Sequence, residues 1–131
     1  MTDYSRASTA AIDKVENYSF DTIPARGANI VVTWVYPEFQ SLCPLSERHD
    51  QGTLTISYAP KETLLESKSV REYLRLWRNM KIWQEYVTDE IANALFSSIE
   101  PAWLDVEIKW TSRGGIYAVT SAKRGNRPIH D

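Results

Sequence analysis

The chain has 131 residues, enough for one domain with a buried core and too few for two of ordinary size. Fifteen Lys and Arg stand against 17 Asp and Glu, a near balance that gives no reason to expect bulk binding to nucleic acid or to an anionic membrane. A single cysteine excludes an internal disulfide, and with no signal-like N-terminal segment and no run of about 18 apolar residues the expectation is a cytoplasmic protein.

Residues 1–22 are polar without a sustained period of 2 or 3.6, which predicts a flexible N-terminal arm able to dock elsewhere. A single domain is expected over 23–121. Within it, "ANIVVTWVY" (Ala28 to Tyr36) is β-branched and aromatic on both alternating sets, the pattern of a strand buried on two faces, and Pro37 is expected to end it. "GTLTISYAP" alternates Leu54, Ile56 and Tyr58 with Thr53, Thr55 and Ser57, a strand with one apolar and one hydroxyl-lined face, closed by Pro60. The period then changes. Leu65, Ser69, Val70, Tyr73, Leu74 and Trp77 share a stripe that predicts a helix over about Lys61 to Arg78. Trp83, Val87, Ile91, Ala94 and Leu95 predict a second, with Pro101 just past its end. "LDVEIKW" sets Leu104, Val106, Ile108 and Trp110 on one face, "SRGG" turns the chain, and "IYAVTS" returns as the last strand. Residues 122–131 read as a polar C-terminal tail or a short ordered extension.

The order strand, strand, helix, helix, strand, strand implies an α+β fold: an antiparallel four-stranded sheet, joined by hairpins, with both helices packed on one face. On the other face Val31 and Val35 would lie exposed in a monomer. Contiguous apolar surface of that kind usually marks a subunit contact, so a homo-oligomer is expected.

Absent motifs narrow the chemistry. There is no GxGxxG after a strand and no GxxxxGK[ST], and two histidines with one cysteine are too few for an ordinary zinc site. The cysteine itself has a bland reading as a small core hydrophobe. Its setting favours another. Cys43 precedes a proline in a polar loop with Ser41, Ser46, Glu47, Arg48, His49 and Asp50, where a basic neighbour would favour the thiolate. Asp50 alone would read as a loop-capping residue before Gly52.

"LCPLSERHD", "ESKSVREYL", "RN", "WQE" and "TSRGG", in that order from about Pro37 to Gly115, resemble the short, single-module branch of the 7-cyano-7-deazaguanine reductases, the QueF nitrile reductases of queuosine biosynthesis, a tRNA-modification pathway. The resemblance implies a tunnelling fold whose subunits join sheets into a barrel, with active sites between subunits and a deazapurine as substrate. It implies Cys43 as the nucleophile that adds to the nitrile to give a covalent thioimide, and Asp50 as the source of the proton. NADPH would be the reductant, carrying the thioimide to the aminomethyl product. Glu85 matches the substrate anchor for the guanine-like edge, against a bland reading as a first-turn glutamate. Gln84 stands beside it, and Glu66 and Ser67 belong to the segment expected near the substrate. Lys68, Arg71, Arg113 and Gly114 fall in the motifs expected to hold the cofactor, Lys68 and Arg113 on its phosphates. No metal is implied.

The sequence also departs from the family pattern. The loop reads "LSERHD" where the family usually has a glycine and a proline, so a different loop backbone is expected. Arg71 replaces a lysine and Glu72 an apolar residue, while arginine still suits phosphate. Gln84 occupies the place of a histidine and carries no titratable proton. These departures keep two alternatives open: an amidinotransferase-like relative that completes the thioimide with ammonia on RNA, and a noncatalytic purine-binding module.

Overall fold

The computed structural model describes residues 15–129. Its elements are β1 (Thr22–Pro24), β2 (Val32–Leu42), β3 (His49–Ala59), β4 (Thr63–Leu65), α1 (Ser67–Leu76), α2 (Gln84–Ile99), β5 (Trp103–Trp110) and β6 (Val119–Gly125). The main sheet runs β2-β3-β5-β6, antiparallel throughout, and β1 pairs with β4 in a separate two-stranded ribbon. Both helices cover one face, giving the α+β architecture expected from the pattern.

Period decides which face is covered. Leu54, Ile56 and Tyr58 of β3 and Leu104, Val106, Ile108 and Trp110 of β5 are all buried, and they meet Val70, Tyr73 and Leu74 of α1, Trp77 at its C-cap, and Val87, Ile91 and Leu95 of α2 in one core. The opposite face carries Thr33, Ser57 and Asp105 together with Val35, which is 62% exposed, as Val31 is 55%. Among the described residues nothing covers the second face, and β2 and β6 are the edges of the sheet.

Several boundaries differ from expectation, the following for local reasons. Pro37 does not end β2. The register steps from Tyr36↔Leu54 to Phe39↔Gly52, three residues against two, so Pro37 and Glu38 form a bulge. An edge strand tolerates proline there because the missing N–H removes no ladder bond. Gly52 opposite that bulge admits no side chain, since a Cβ would come within 2.8 Å of the Lys109 carbonyl oxygen and 2.9 Å of Ile108 Cγ2. Helix α1 begins at Ser67, not near Lys61, because Thr63–Leu65 is taken by pairing with Thr22–Pro24.

The expected arm is partly anchored. Residues 1–14 lie outside the described residues, but Tyr18 and Phe20 pack on Tyr73, at ring-centroid distances of 5.4 and 4.8 Å. The Tyr18 hydroxyl donates to the Ser69 carbonyl at 2.5 Å and the Asp21 N–H to Ser69 Oγ at 2.8 Å. Two aromatic rings with a place in the core outweigh the entropy of ordering a few polar neighbours. At the other end β6 runs to Gly125, so Ala122 to Gly125, read as tail or extension, pair with Trp103 to Val106 of β5. The preceding turn takes the chain further than the alternation suggested. Gly114 and Gly115 have φ of 59° and 86°, and Arg113 and Ile116 exchange backbone bonds across them at 2.7 and 3.1 Å, a type I′ geometry that favours glycine at both central positions.

Candidate active site

Cys43 directly follows β2, and Asp50 stands near the start of β3 opposite Ser41. The hairpin thus folds residues seven apart in sequence to the same end of the sheet. The Cys43 N–H donates to the Arg48 carbonyl at 2.9 Å and the Glu47 N–H to the Cys43 carbonyl at 3.0 Å, closing the loop on itself. Glu47 holds a left-handed φ of 58°, supplying without glycine the turn that this loop needs. Two side-chain ties brace the loop from the segment between the helices: an ion pair from Lys81 to Glu47, and His49 Nε2 to Asn79 Oδ1 at 3.2 Å.

The segment between the helices brings in the second group of residues. The Leu42 N–H donates to the Met80 carbonyl and the Ile82 N–H to the Leu42 carbonyl, both at 3.0 Å, so the linker lies against the end of β2 and delivers the start of α2 beside the loop. A relay of side chains then fixes that helix end to the sheet. Trp110 Nε1 donates to Thr120 Oγ1 at 2.9 Å, Thr120 and Thr88 share a 2.6 Å bond, and Thr88 donates to the Gln84 carbonyl at 3.0 Å. With Thr88 and Trp110 buried, each hydroxyl has one proton to give, and the four groups satisfy one another head to tail.

The result is an open groove of about 710 Å³ lined by Cys43, Asp50, Gln84, Glu85 and Arg113, with Trp83, Ile116 and Ala118 among its apolar walls. Asp50, only 4% exposed, receives Arg113 Nη1 at 2.6 Å, and Arg113 Nη2 reaches Ser46 Oγ at 3.1 Å. The pair is charge-assisted and strong for a protein hydrogen bond. Burial alone would push the Cys43 thiol up; the Ser46 N–H and hydroxyl, the Leu45 N–H and the Arg113 guanidinium outweigh it, and the thiol lies below the ordinary cysteine value. Hydrogen bonding to Asp50 raises the Arg113 guanidinium further above the range in which it titrates.

Five of the sequence-derived site residues therefore share one groove, and Gly114 shapes the turn that carries Arg113. Glu66, Ser67, Lys68 and Arg71 lie elsewhere on the chain, at the start of α1. The Glu66 carboxylate caps that helix, accepting from the Lys68 N–H at 2.7 Å and the Ser69 N–H at 2.8 Å, and those two bonds hold it below the ordinary glutamate value. Ser67, Lys68 and Arg71 are exposed. Lys68, Arg71 and Arg75 of α1 fall within about a sixth of the helix circumference at 100° per residue, and Arg78 follows just past the helix end. This cluster of cations, with Glu66 engaged in capping and Glu72 exposed beside it, could hold the phosphates of a dinucleotide. Ser46, Trp83 and the Trp110–Thr120–Thr88 relay were not singled out by sequence. Trp83 was counted with the apolar stripe of α2, yet it precedes the helix and lines the groove. A second hollow of about 490 Å³, between Val15 to Phe20 and α2, has no thiol and no cation in its lining among the described residues.

Residues 49–128 match the family model described as QueF-like protein. The chain belongs to the QueF-like family. It is 34% identical over 105 residues to the NADPH-dependent 7-cyano-7-deazaguanine reductase of Anaeromyxobacter sp. (strain K), covering 80% of this chain and 86% of the relative. It is 39% identical over 107 residues to the protein of the same name from Bradyrhizobium diazoefficiens, covering 82% and 66% of the two chains. The crystal structure of the archaeosine synthase QueF-Like in the apo form superposes with a TM-score of 0.71 at 19% identity, over 77% of this chain and 99% of that one. This last likeness concerns the fold, which is the QueF-like tunnelling fold. Among the described residues no helix is long and apolar enough to cross a membrane.

Proposed function

We propose that the chain reduces the nitrile of 7-cyano-7-deazaguanine to the aminomethyl group, capturing the nitrile carbon as a thioimide on Cys43. The observation that carries this reading is the groove in which a thiol of lowered pKa lies with an ion-paired aspartate, a glutamate and an aromatic wall. A nitrile carbon is electrophilic but resists direct attack by hydride, and a thiolate splits the barrier into two smaller ones. Cys43 adds to the carbon, and Asp50 provides the proton that the nitrile nitrogen needs as its negative charge develops. Glu85, at the start of α2 on the same groove, accepts hydrogen bonds from the amino and ring N–H groups of the deazaguanine. Trp83 and Ile116 flank the ring and exclude water from its apolar side.

NADPH, which names the curated relatives, supplies the hydrides when bound. Lys68 and Arg71, with Arg75 on the same face of α1, would hold its phosphates. Because that face does not line the Cys43 groove within one chain, the reading places the complete site between subunits of a homo-oligomer. The uncovered valines at the β2 edge support such an assembly. The retained cations favour reduction over transfer of ammonia. An anaerobic assay with 7-cyano-7-deazaguanine tests the proposal: NADPH absorbance falls by two equivalents per nitrile consumed if it holds. A nitrile consumed with ammonia and no loss of NADPH absorbance would instead make the chain an amidinotransferase.

A further inference from the structure

Asp50 poses a chemical problem for the reading above, because a carboxylate engaged by a guanidinium accepts protons and does not donate them. The proton must come from elsewhere. The Cys43 thiol, which lines the same groove, can supply one, and Arg113 lines that groove with them. Its guanidinium donates to Asp50 Oδ1 at 2.6 Å and to Ser46 Oγ at 3.1 Å, and it lines the same groove as Cys43, whose thiol it helps to hold below the ordinary cysteine value. Arg113 is carried on a closed turn with two glycines at positive φ, which directs the side chain back toward the β2–β3 loop.

We propose that Arg113 is a catalytic residue of nitrile capture, the counter-charge to a single negative charge shared by Cys43 and Asp50, and not only a ligand of cofactor phosphate. This rests on the proposed capture of a nitrile and specifies how the proton moves. The thiol proton passes from Cys43 Sγ to Asp50 as the sulfur attacks; the carbon–sulfur bond forms, one π bond of the nitrile breaks toward nitrogen, and Asp50 returns the proton to that nitrogen. The sum is addition of S–H across the triple bond, with no change of oxidation state and no second reagent. Throughout, one anion lies beside Arg113, first on the carboxylate, then spread along the path, then on the carboxylate again. A fixed cation facing a charge that moves over a few ångströms stabilises the intermediate positions without reorganising. The remaining charged group in the groove lining is Glu85 from α2. Glu47 and Arg48 lie in the Cys43 loop, and Lys81 is bound to Glu47. Of these, Arg113 is the one bonded to Asp50.

The test uses the full chain without NADPH and two independent readouts: the pH profile of Cys43 alkylation by iodoacetamide, and the rate of thioimide formation with 7-cyano-7-deazaguanine. In Arg113→Gln the alkylation profile moves to higher pH and thioimide formation slows about 10²-fold, the scale of removing one preorganised donor. Arg113→Lys keeps the charge and recovers much of both. Asp50→Asn frees the guanidinium for the sulfur, so its alkylation profile moves to lower pH while thioimide formation slows. Circular dichroism confirms that each variant is folded. Unchanged alkylation and capture in Arg113→Gln would overturn the proposal. If the natural protein captures no nitrile, the proposed reaction and the proton path both fall. The alkylation profile reports the counter-charge separately, so the two failures are told apart.

Discussion

Replacing Thr120 by valine removes one hydroxyl from the relay that ties α2 to the sheet, with almost no change of shape. Thr120 Oγ1 accepts from Trp110 Nε1 and donates to Thr88, whose own proton goes to the Gln84 carbonyl. In Thr120→Val the Thr88 hydroxyl keeps its bond to Gln84, but the indole N–H of Trp110, in a residue 3% exposed, is left without a partner. A buried orphan donor costs about 1–3 kcal/mol and the lost hydroxyl pair about 1 kcal/mol, so the variant should lose roughly 2–4 kcal/mol of stability. Urea titration followed by far-ultraviolet circular dichroism measures it. Trp110→Phe in the valine background removes the orphan itself, so the double variant should be more stable than the sum of the single losses by about 1 kcal/mol or more. Thr120→Ser should stay closest to the natural protein. A loss below about 0.5 kcal/mol in Thr120→Val, or strict additivity with Trp110→Phe, would refute the relay as a structural element.

Glu85→Gln should weaken binding of the deazaguanine by about 1.5–3 kcal/mol, the scale of hydrogen bonds to a charged acceptor, in isothermal titration; equal affinity would remove Glu85 as the anchor. Gln84 has no titratable proton, so the natural protein should form the thioimide readily yet reduce it slowly, and Gln84→His should raise the reduction rate by up to the 10²–10⁴ range of acid–base catalysis with little change in capture. Pre-steady-state absorbance separates the two steps, and brisk reduction by the natural protein would limit this position to hydrogen bonding or packing. Glu66→Ala should lower the melting temperature at pH 7, where the cap is ionised. Because the folded-state pKa of Glu66 is depressed, the cap's contribution is present above the ordinary glutamate value and disappears as pH falls through the depressed one. Melting curves of the two proteins should therefore converge in acid; a constant gap would show that the capping role does not depend on charge.

The sheet and helix faces were legible in the sequence where one face is apolar and the other polar, as in Leu54, Ile56 and Tyr58 or Leu104, Val106 and Ile108. Boundaries were legible only where nothing tertiary competed. Pro37 reads as a strand end until a bulge on an edge strand accommodates it, and Thr63–Leu65 reads as helix until a partner strand arrives from Thr22–Pro24. The site divides in the same way. Cys43 and Asp50 are seven residues apart, and a hairpin is enough to bring them together. The Arg113–Asp50 pair spans 63 residues, and no periodicity encodes that contact. Thr120 carried a weak signal, as a polar residue on the covered side of β6, but its partners could be named only once β5, β6 and α2 were in place.

The central claim is that Cys43 takes the nitrile covalently, and intact-mass spectrometry after incubation with 7-cyano-7-deazaguanine in the absence of NADPH tests it most directly. The account predicts a mass increase equal to the whole nitrile, since addition loses no atom, reversed on adding NADPH and absent in Cys43→Ala. Ligand bound without any adduct, or an adduct that survives in Cys43→Ala, would contradict it.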